Sequence, residues 1–228
     1  MPSRRRFLVA GATAGTIALS GCTDAVEIAT QEEIERSAEP AEPEQESVEE
    51  TGFEEVRNET VVVEEEFEEF GQRREFTART EVRAYLREIE SELTGQEQSV
   101  VAVVSTPGVS AAGQQLSPLA NMDEEELIDE ARGEISAEYE GEIRDPELDE
   151  TIEQEVFGET TEVSVYEATV VLPDGTEERG YIHLTIVERG EDVVLVAGAY
   201  PAGVEGERER IERLFESLEV EESEDSEE

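Results

Sequence analysis

A chain of 228 residues with one cysteine, one histidine and no lysine can run few of the usual covalent chemistries. His183, in Tyr181-Ile182-His183-Leu184-Thr185, has no second histidine and no thiol to join it at triad or metal spacing. A serine triad, a thiol protease and a zinc site therefore have no residues to assemble from, and a Ser/Lys dyad lacks its base. His183 is expected as a strand-face or edge residue with a satisfied ring. Carboxylates are the one abundant reactive group: 62 Asp and Glu stand against 17 basic residues, all Arg. Paired carboxylates suit glycoside hydrolysis, yet nothing in their spacing selects a pair, and the chain has no Trp to stack a sugar. No Asp-x-Asp-x-Asp-Gly loop marks a calcium site. On this reading no catalytic residue, cofactor or metal is assigned.

Cys22 is the exception, because its surroundings set its chemistry. Ser3-Arg4-Arg5-Arg6-Phe7-Leu8 opens the chain, an apolar run of small residues extends from Phe7 to Leu19, and Leu19-Ser20-Gly21-Cys22 closes it, the three-part form of an export signal. The arginine pair followed by Phe-Leu resembles a twin-arginine translocation signal. Leu-Ser-Gly-Cys resembles a lipobox, whose cysteine receives a lipid and becomes the new N-terminus. Residues 7–19 as a helix would cover only about 20 Å of a hydrocarbon core roughly 30 Å thick, so the protein is expected to be tethered rather than transmembrane. Two chains on one cysteine would hold firmly, where a single chain is marginal. Arg4 and Arg5 are the export residues and Cys22 the lipidation residue on this reading. The expected location is the extracytoplasmic face of the cell membrane.

Removal of residues 1–21 takes away three arginines and leaves 14 against 62 acids, a net charge of −48. Such a surface argues against nucleic acid and anionic headgroups as partners, since both need a basic face. It reads as a solvated surface whose self-repulsion is relieved by salt.

Residues 22–50 are acidic, with Pro40 and Pro43 and few large apolar side chains, so they are expected as a disordered linker behind lipidated Cys22. Residues 219–228 hold seven acids and are expected as a solvated tail. Between them, 51–218 is long enough for one domain with a sizeable core. Val61-Val62-Val63, Phe67 and Phe70, then Gly71-Gln72, then Phe76, Ala78, Thr80, Val82 and Ala84 in alternation, read as a hairpin. Leu86, Ile89 and Leu93 read as a helical turn. Val100-Val101-Ala102-Val103-Val104 reads as a central strand buried on both faces. Asp123 and Glu126, bracketed by Met122 and Leu127, form a capping box with its staple, opening a helix over 123–140. Runs at 152–157, 162–172, 180–187 and 193–200, with turns at Pro173-Asp174-Gly175-Thr176 and Arg189-Gly190-Glu191-Asp192, read as an antiparallel meander. Ile211, Leu214, Phe215 and Leu218 share one side of a last helix. The predicted fold is α+β, a mostly antiparallel sheet with helices packed on it.

Asn58-Glu59-Thr60 fits the glycosylation sequon, making Asn58 a candidate modification site. The loops Ser105-Thr106-Pro107-Gly108 and Tyr200-Pro201-Ala202-Gly203 follow apolar strands, where sites tend to be placed.

The export signal and lipobox, with Val104-Ser105-Thr106-Pro107, Leu119-Ala120-Asn121-Met122 leading into Glu124-Glu125-Glu126-Leu127, and Val196-Ala197-Gly198-Ala199-Tyr200-Pro201, resemble an uncharacterised family of haloarchaeal twin-arginine lipoproteins of unknown function. That resemblance implies an exported, anchored protein with no assigned activity. A weaker likeness, carried by the strand ending at Tyr200-Pro201 before a closing helix, is to the PsbP/Mog1-type sandwich, and fold likeness alone transfers no function. Two functions stay open: a binding or interaction module for a small ligand or an envelope protein, and an envelope enzyme such as a hydrolase using acidic residues.

Charge alone generates one prediction. Exposed ion pairs contribute about 0 to 1 kcal/mol each, so 14 arginines cannot balance a net charge of −48 in a domain stable by only about 5 to 15 kcal/mol. The thermal midpoint of the mature chain should rise steeply between 0.1 M salt, where the Debye length is about 10 Å, and 1 M, where it is about 3 Å, then level off. A midpoint flat across that range would show that repulsion does not limit stability.

Overall fold

A strand apolar on both faces needs cover on both, and this places Val100–Val104 in the middle of the molecule. In a computed structural model of the chain, residues 33–69, 72–91, 95–111, 114–117, 119, 122–138, 142–172 and 174–220 are described. The apolar run lies in β5 (Gly95–Pro107), and Ser99 to Thr106 are all buried. β5 pairs antiparallel with β4 (Gln72–Ser91) on one side and β11 (Asp192–Pro201) on the other. Beyond β11 come β10 (Glu177–Arg189), β9 (Glu159–Val171) and β8 (Glu142–Val156), the meander that the turns require.

β3 (Glu54–Glu69) pairs with β4 from Gln72 to Leu86, completing the hairpin; its turn residues lie outside the described residues. β1 (Glu33–Ser37) runs parallel to β4, with Glu33 opposite Glu75 and Ser37 opposite Arg79. Because β3 holds one edge of β4 there, β1 takes the other edge, which β5 leaves free beyond its pairing of Ser105 with Glu81. The sheet is thus mixed, antiparallel-dominated and richer in strand than the α+β expectation. A small ladder of β6 (Val109–Ala111) and β7 (Gln114–Leu116) follows β5.

Among the described residues three helices cover the sheet: α1 (Gln45–Thr51), α2 (Glu124–Glu138) and α3 (Glu207–Glu216). The capping box closes α2 as expected, the Glu126 amide donating to Asp123 Oδ1 and the Asp123 amide to Glu126 Oε2, both at 3.0 Å. Ala131 and Ile135 of α2 lie buried over Val100, Val104, Leu195 and Ala197. On the opposite face Ile211, Leu214 and Phe215 of α3, with Val48 of α1, pack on Val101, Val103, Val194 and Val196. Each such large side chain contributes roughly 1.5 to 3 kcal/mol by leaving water. Gly198 lets α3 come this close, since a Cβ there would stand 2.7 Å from Ile211 Cγ2.

A buried carboxylate fixes the start of α3. Glu207 is fully buried; its Oε1 accepts from Arg87 Nη1 at 2.6 Å and Arg210 Nη1 at 3.0 Å, and its Oε2 from Ser99 Oγ at 2.7 Å. These bonds tie α3 to β4 and β5.

Four expectations differ from the structure. Residues 33–50, read as the end of a disordered linker, instead form β1, β2 (Ala41–Pro43) and most of α1, with Ala38, Ala41 and Val48 buried. Their few apolar side chains suffice because α3 and β12 (Leu218–Val220) supply the surface they pack against. Leu218, assigned to the last helix, and Glu219, assigned to the tail, lie in β12; the helix stops at Glu216. Leu86 and Ile89 form no helical turn, because β4 continues against β5 as far as Ser91 and a single turn cannot nucleate against that ladder. Leu93 lies outside the described residues. The run expected at 152–157 begins ten residues earlier, because β8 extends from Glu142 through Asp145-Pro146 to Val156.

Candidate functional site

Two tight turns, the segment after β1 and strand β12 meet at one end of the sheet. β8 and β9 are joined by Phe157 and Gly158, at φ 54° and 73°, the mirror-type hairpin that suits twisted strands. Phenylalanine at positive φ costs on the order of 1 kcal/mol or more, and here its ring is held in the core. Gly190, at φ 59°, begins the β10–β11 turn.

These turns, the segment after β1 and strand β12 surround a cleft of about 600 Å³. Its floor is apolar: Phe157, Val194 and Leu218, all buried. Its rim carries Glu39, Glu191, Asp192 and Glu219 against Arg189. The Glu39 amide donates to Asp192 Oδ2 at 2.7 Å, pinning the segment after β1 to the hairpin. Burial is the first cause that holds the Asp192 carboxyl above its ordinary range; the bond from the Glu39 amide acts the other way, and the charges of Glu39 and Glu191 add to burial. Arg189 lies over the Phe157 ring, 5.4 Å from its centroid, with Nη1 3.4 Å from Glu159 Oε1. The Gly108 amide donates to the Glu191 carbonyl at 2.8 Å, which places Gly108 beside the cleft; Ser105, Thr106 and Pro107, expected as a loop, instead extend β5 against Asp192 to Val194 of β11. An acidic rim over an apolar floor favours cations and neutral molecules over anions.

The other residues singled out by sequence lie elsewhere. Of the loop expected at 200–203, Tyr200 and Pro201 instead end β11 and only Ala202 and Gly203 follow it, about 30 Å away. His183 is fully buried beneath α3, with Nε2 3.2 Å from Tyr200 Oη and its ring edge-on to Phe215 at 6.3 Å. Its Nδ1 has no hydrogen-bond partner among the described residues, so there the ring is half satisfied rather than satisfied. Desolvation first, and the Arg208 charge second, lower its pKa to about 4 against the opposing charge of Glu150, which leaves the ring neutral near pH 7. Asn58 sits on β3, where its amide donates to Glu55 Oε1 at 3.2 Å and its oxygen accepts from Arg83 Nη1. Arg4, Arg5 and Cys22 lie outside the described residues.

A carboxylate pair for hydrolysis does not form from the groups that burial perturbs. Glu134 on α2 is raised first by desolvation, but it is paired with Arg57 Nη1 at 2.7 Å and does not line the cleft that holds Asp192. A glycosidase needs its two carboxyls about 5 to 10 Å apart around one bond.

The sequence matches the family described as domain of unknown function DUF6517 over residues 40–219. The chain belongs to that family. The DUF6517 domain runs from just before β2 to β12, which agrees with the structured status of residues 41–51. It includes the cleft floor, while Ser37 and Glu39 of the rim precede it. No curated protein matches the chain.

Neutral burial of His183 sets the sign of a pH effect. With a folded pKa near 4 and an unfolded one near 6.5, the unfolded chain binds the extra proton between those values. The contribution is complete above about pH 6.5 and is lost as pH falls toward 4, on the order of 3 kcal/mol in all. Because many carboxylates titrate in the same window, the measurement is a difference. The unfolding free energy of the native chain minus that of His183→Gln should fall between pH 6.5 and 4; a difference independent of pH would refute the neutral ring.

Proposed function

We propose that this DUF6517 protein is an extracytoplasmic binding module, exported by the twin-arginine route through Arg4 and Arg5, tethered by lipid on Cys22, and taking a small cationic or neutral amphipathic ligand in the cleft above Phe157. The observation that carries the binding reading is the cleft: its volume of about 600 Å³ is of ligand size, its floor is apolar, and its rim bears four carboxylates to one arginine. The tether rests on Leu19-Ser20-Gly21-Cys22 and on the absence of any other thiol in the sequence. Among the described residues no helix is long and apolar enough to cross a membrane. From Cys22 to Glu39 the chain spans at most about 60 Å, so a lipid on Cys22 would keep the cleft that close to the bilayer. The strongly acidic chain would be repelled by anionic headgroups, which makes the lipid, rather than the protein surface, the anchor.

For the cleft, the thermal midpoint of the purified protein in molar salt is followed with phenethylamine and with its carboxylate counterpart, phenylpropionate. The amine should raise the midpoint, by the equivalent of about 1.4 kcal/mol at ten times Kd, and the carboxylate should not. The effect should vanish in Phe157→Gly, which keeps the positive-φ turn and removes the floor, and shrink in Asp192→Asn. Equal shifts with both ligands, or none, would overturn the cleft assignment.

For the tether, Cys22→Ser should leave export intact, abolish lipid labelling and move the protein from the membrane to the soluble fraction. Tight membrane association of that variant would rule Cys22 out as the anchor.

A further inference from the structure

Among the described residues three strands pair on one side only, β1, β3 and β8, and the two long ones, β3 and β8, are guarded differently. Among the described residues β8 pairs with β9 alone and β3 with β4 alone. An outer strand presents a row of unpaired amides and carbonyls that another chain can complete. β8 is guarded by geometry: Asp145 at φ 49° precedes Pro146, which has no amide to donate, and its register shifts between Arg144 and Glu147 and again between Leu148 and Glu150. β3 has one irregularity, between Glu55 and Arg57, and then runs unbroken to Glu69 with no proline or glycine. That regular stretch is more than twice the usual strand length of about 5 to 6 residues. Its face is open to solvent at Asn58, Glu59, Thr60, Val62 and Glu64.

What guards β3 is charge. Its sequence holds eight glutamates and one arginine, and Arg57 is already engaged by Glu59 and Glu134. Geometry blocks any added strand where it acts, between Arg144 and Glu150, whereas charge selects by sign. Like charges directly opposite one another across a new ladder would repel a second copy of this chain, and opposite charges would favour a basic strand. Val61, Val62 and Val63 supply apolar contact between the glutamates, with Val62 54% exposed.

We propose that the free edge of β3 between Arg57 and Glu69 is a docking site for an extended basic segment of a partner protein, in which Arg or Lys alternates with β-branched residues and which adds to the sheet as a further strand. Main-chain bonds would give the affinity and the glutamates the choice of partner. The surface is separate from the cleft and does not depend on the ligand reading.

The test uses the purified protein in molar salt and a labelled Arg-Val alternating octapeptide, followed by fluorescence anisotropy. A Glu-Val octapeptide and an Arg-Val octapeptide N-methylated at alternate residues are the controls, and each should bind at least about tenfold more weakly. Amide groups along β3 alternate between its two edges, so Val62→Pro and Val63→Pro separate the roles. The variant whose amide faces outward should lose peptide binding with little change in thermal midpoint. The other should lose stability. Phe157→Gly and Asp192→Asn should keep peptide binding, so failure of the cleft and failure of the edge are read independently. Equal binding of the N-methylated peptide would show charge without strand addition and would overturn the proposal. So would absence of binding, or dimerisation through β3 without peptide.

Discussion

β5 and β11 lie side by side with apolar side chains on both faces, and the rest of the molecule is arranged as cover for them. Along β11, Val193, Leu195, Ala197 and Ala199 face the α2 side, while Val194, Val196 and Tyr200 face α3. Neither face can meet water without exposing a contiguous apolar patch. The helices therefore sit on opposite faces, and the outer strands carry the alternation and the charge that the two central strands lack. In a chain with 62 acids the separation holds over Ser99–Thr106 of β5 and Val193–Pro201 of β11, because an acid there would have to be paired or neutralised.

Glu207 is the acid that does enter. Ser99 from β5, Arg87 from β4 and Arg210 from its own helix occupy its oxygens, so the charge is matched where it is buried. A matched buried pair adds little net stability over an apolar substitute, but losing one partner leaves a buried charge alone. Its effect is registry: with Gly198 admitting Ile211 against the strand, the Glu207 contacts fix where α3 starts and how close it lies.

The elements with a local cause were legible in the sequence, and those with a tertiary cause were not. Val100–Val104 announces a doubly buried strand, Asp123 and Glu126 a helix start, and the Gly175 and Gly190 turns a meander. β2 and α1 contribute only Ala41 and Val48 to the core among acidic neighbours, and no periodicity could reveal a segment whose partners lie at the other end of the chain, in β12 and α3. The cleft was hidden for similar reasons. Asp192 read as a turn residue, Glu39 as linker and Phe157 as the end of an apolar run. Only Phe157-Gly158 between two strands carried a signal, that of a two-residue turn, and the bulky ring obscured it. Glu207 was one first-turn acid among many, and its burial follows from Arg87, 120 positions away.

The same charge excess acts differently at short and long range. At about 1 M salt the Debye length is roughly 3 Å, so the field of a net charge of −45 no longer steers distant molecules or holds copies apart. Charges in contact, as at the cleft rim or across a new β ladder, remain within that distance. Burial on Phe157, Val194 and Leu218, and main-chain bonds along β3, lose little to screening; excluded salts even strengthen apolar burial. Recognition by this domain in concentrated salt would therefore depend on contact, with affinity from apolar and backbone groups and sign selection from the few glutamates that touch the partner. In dilute buffer the balance would reverse: any cation would be attracted to the whole surface, and neither the cleft nor the β3 edge would discriminate.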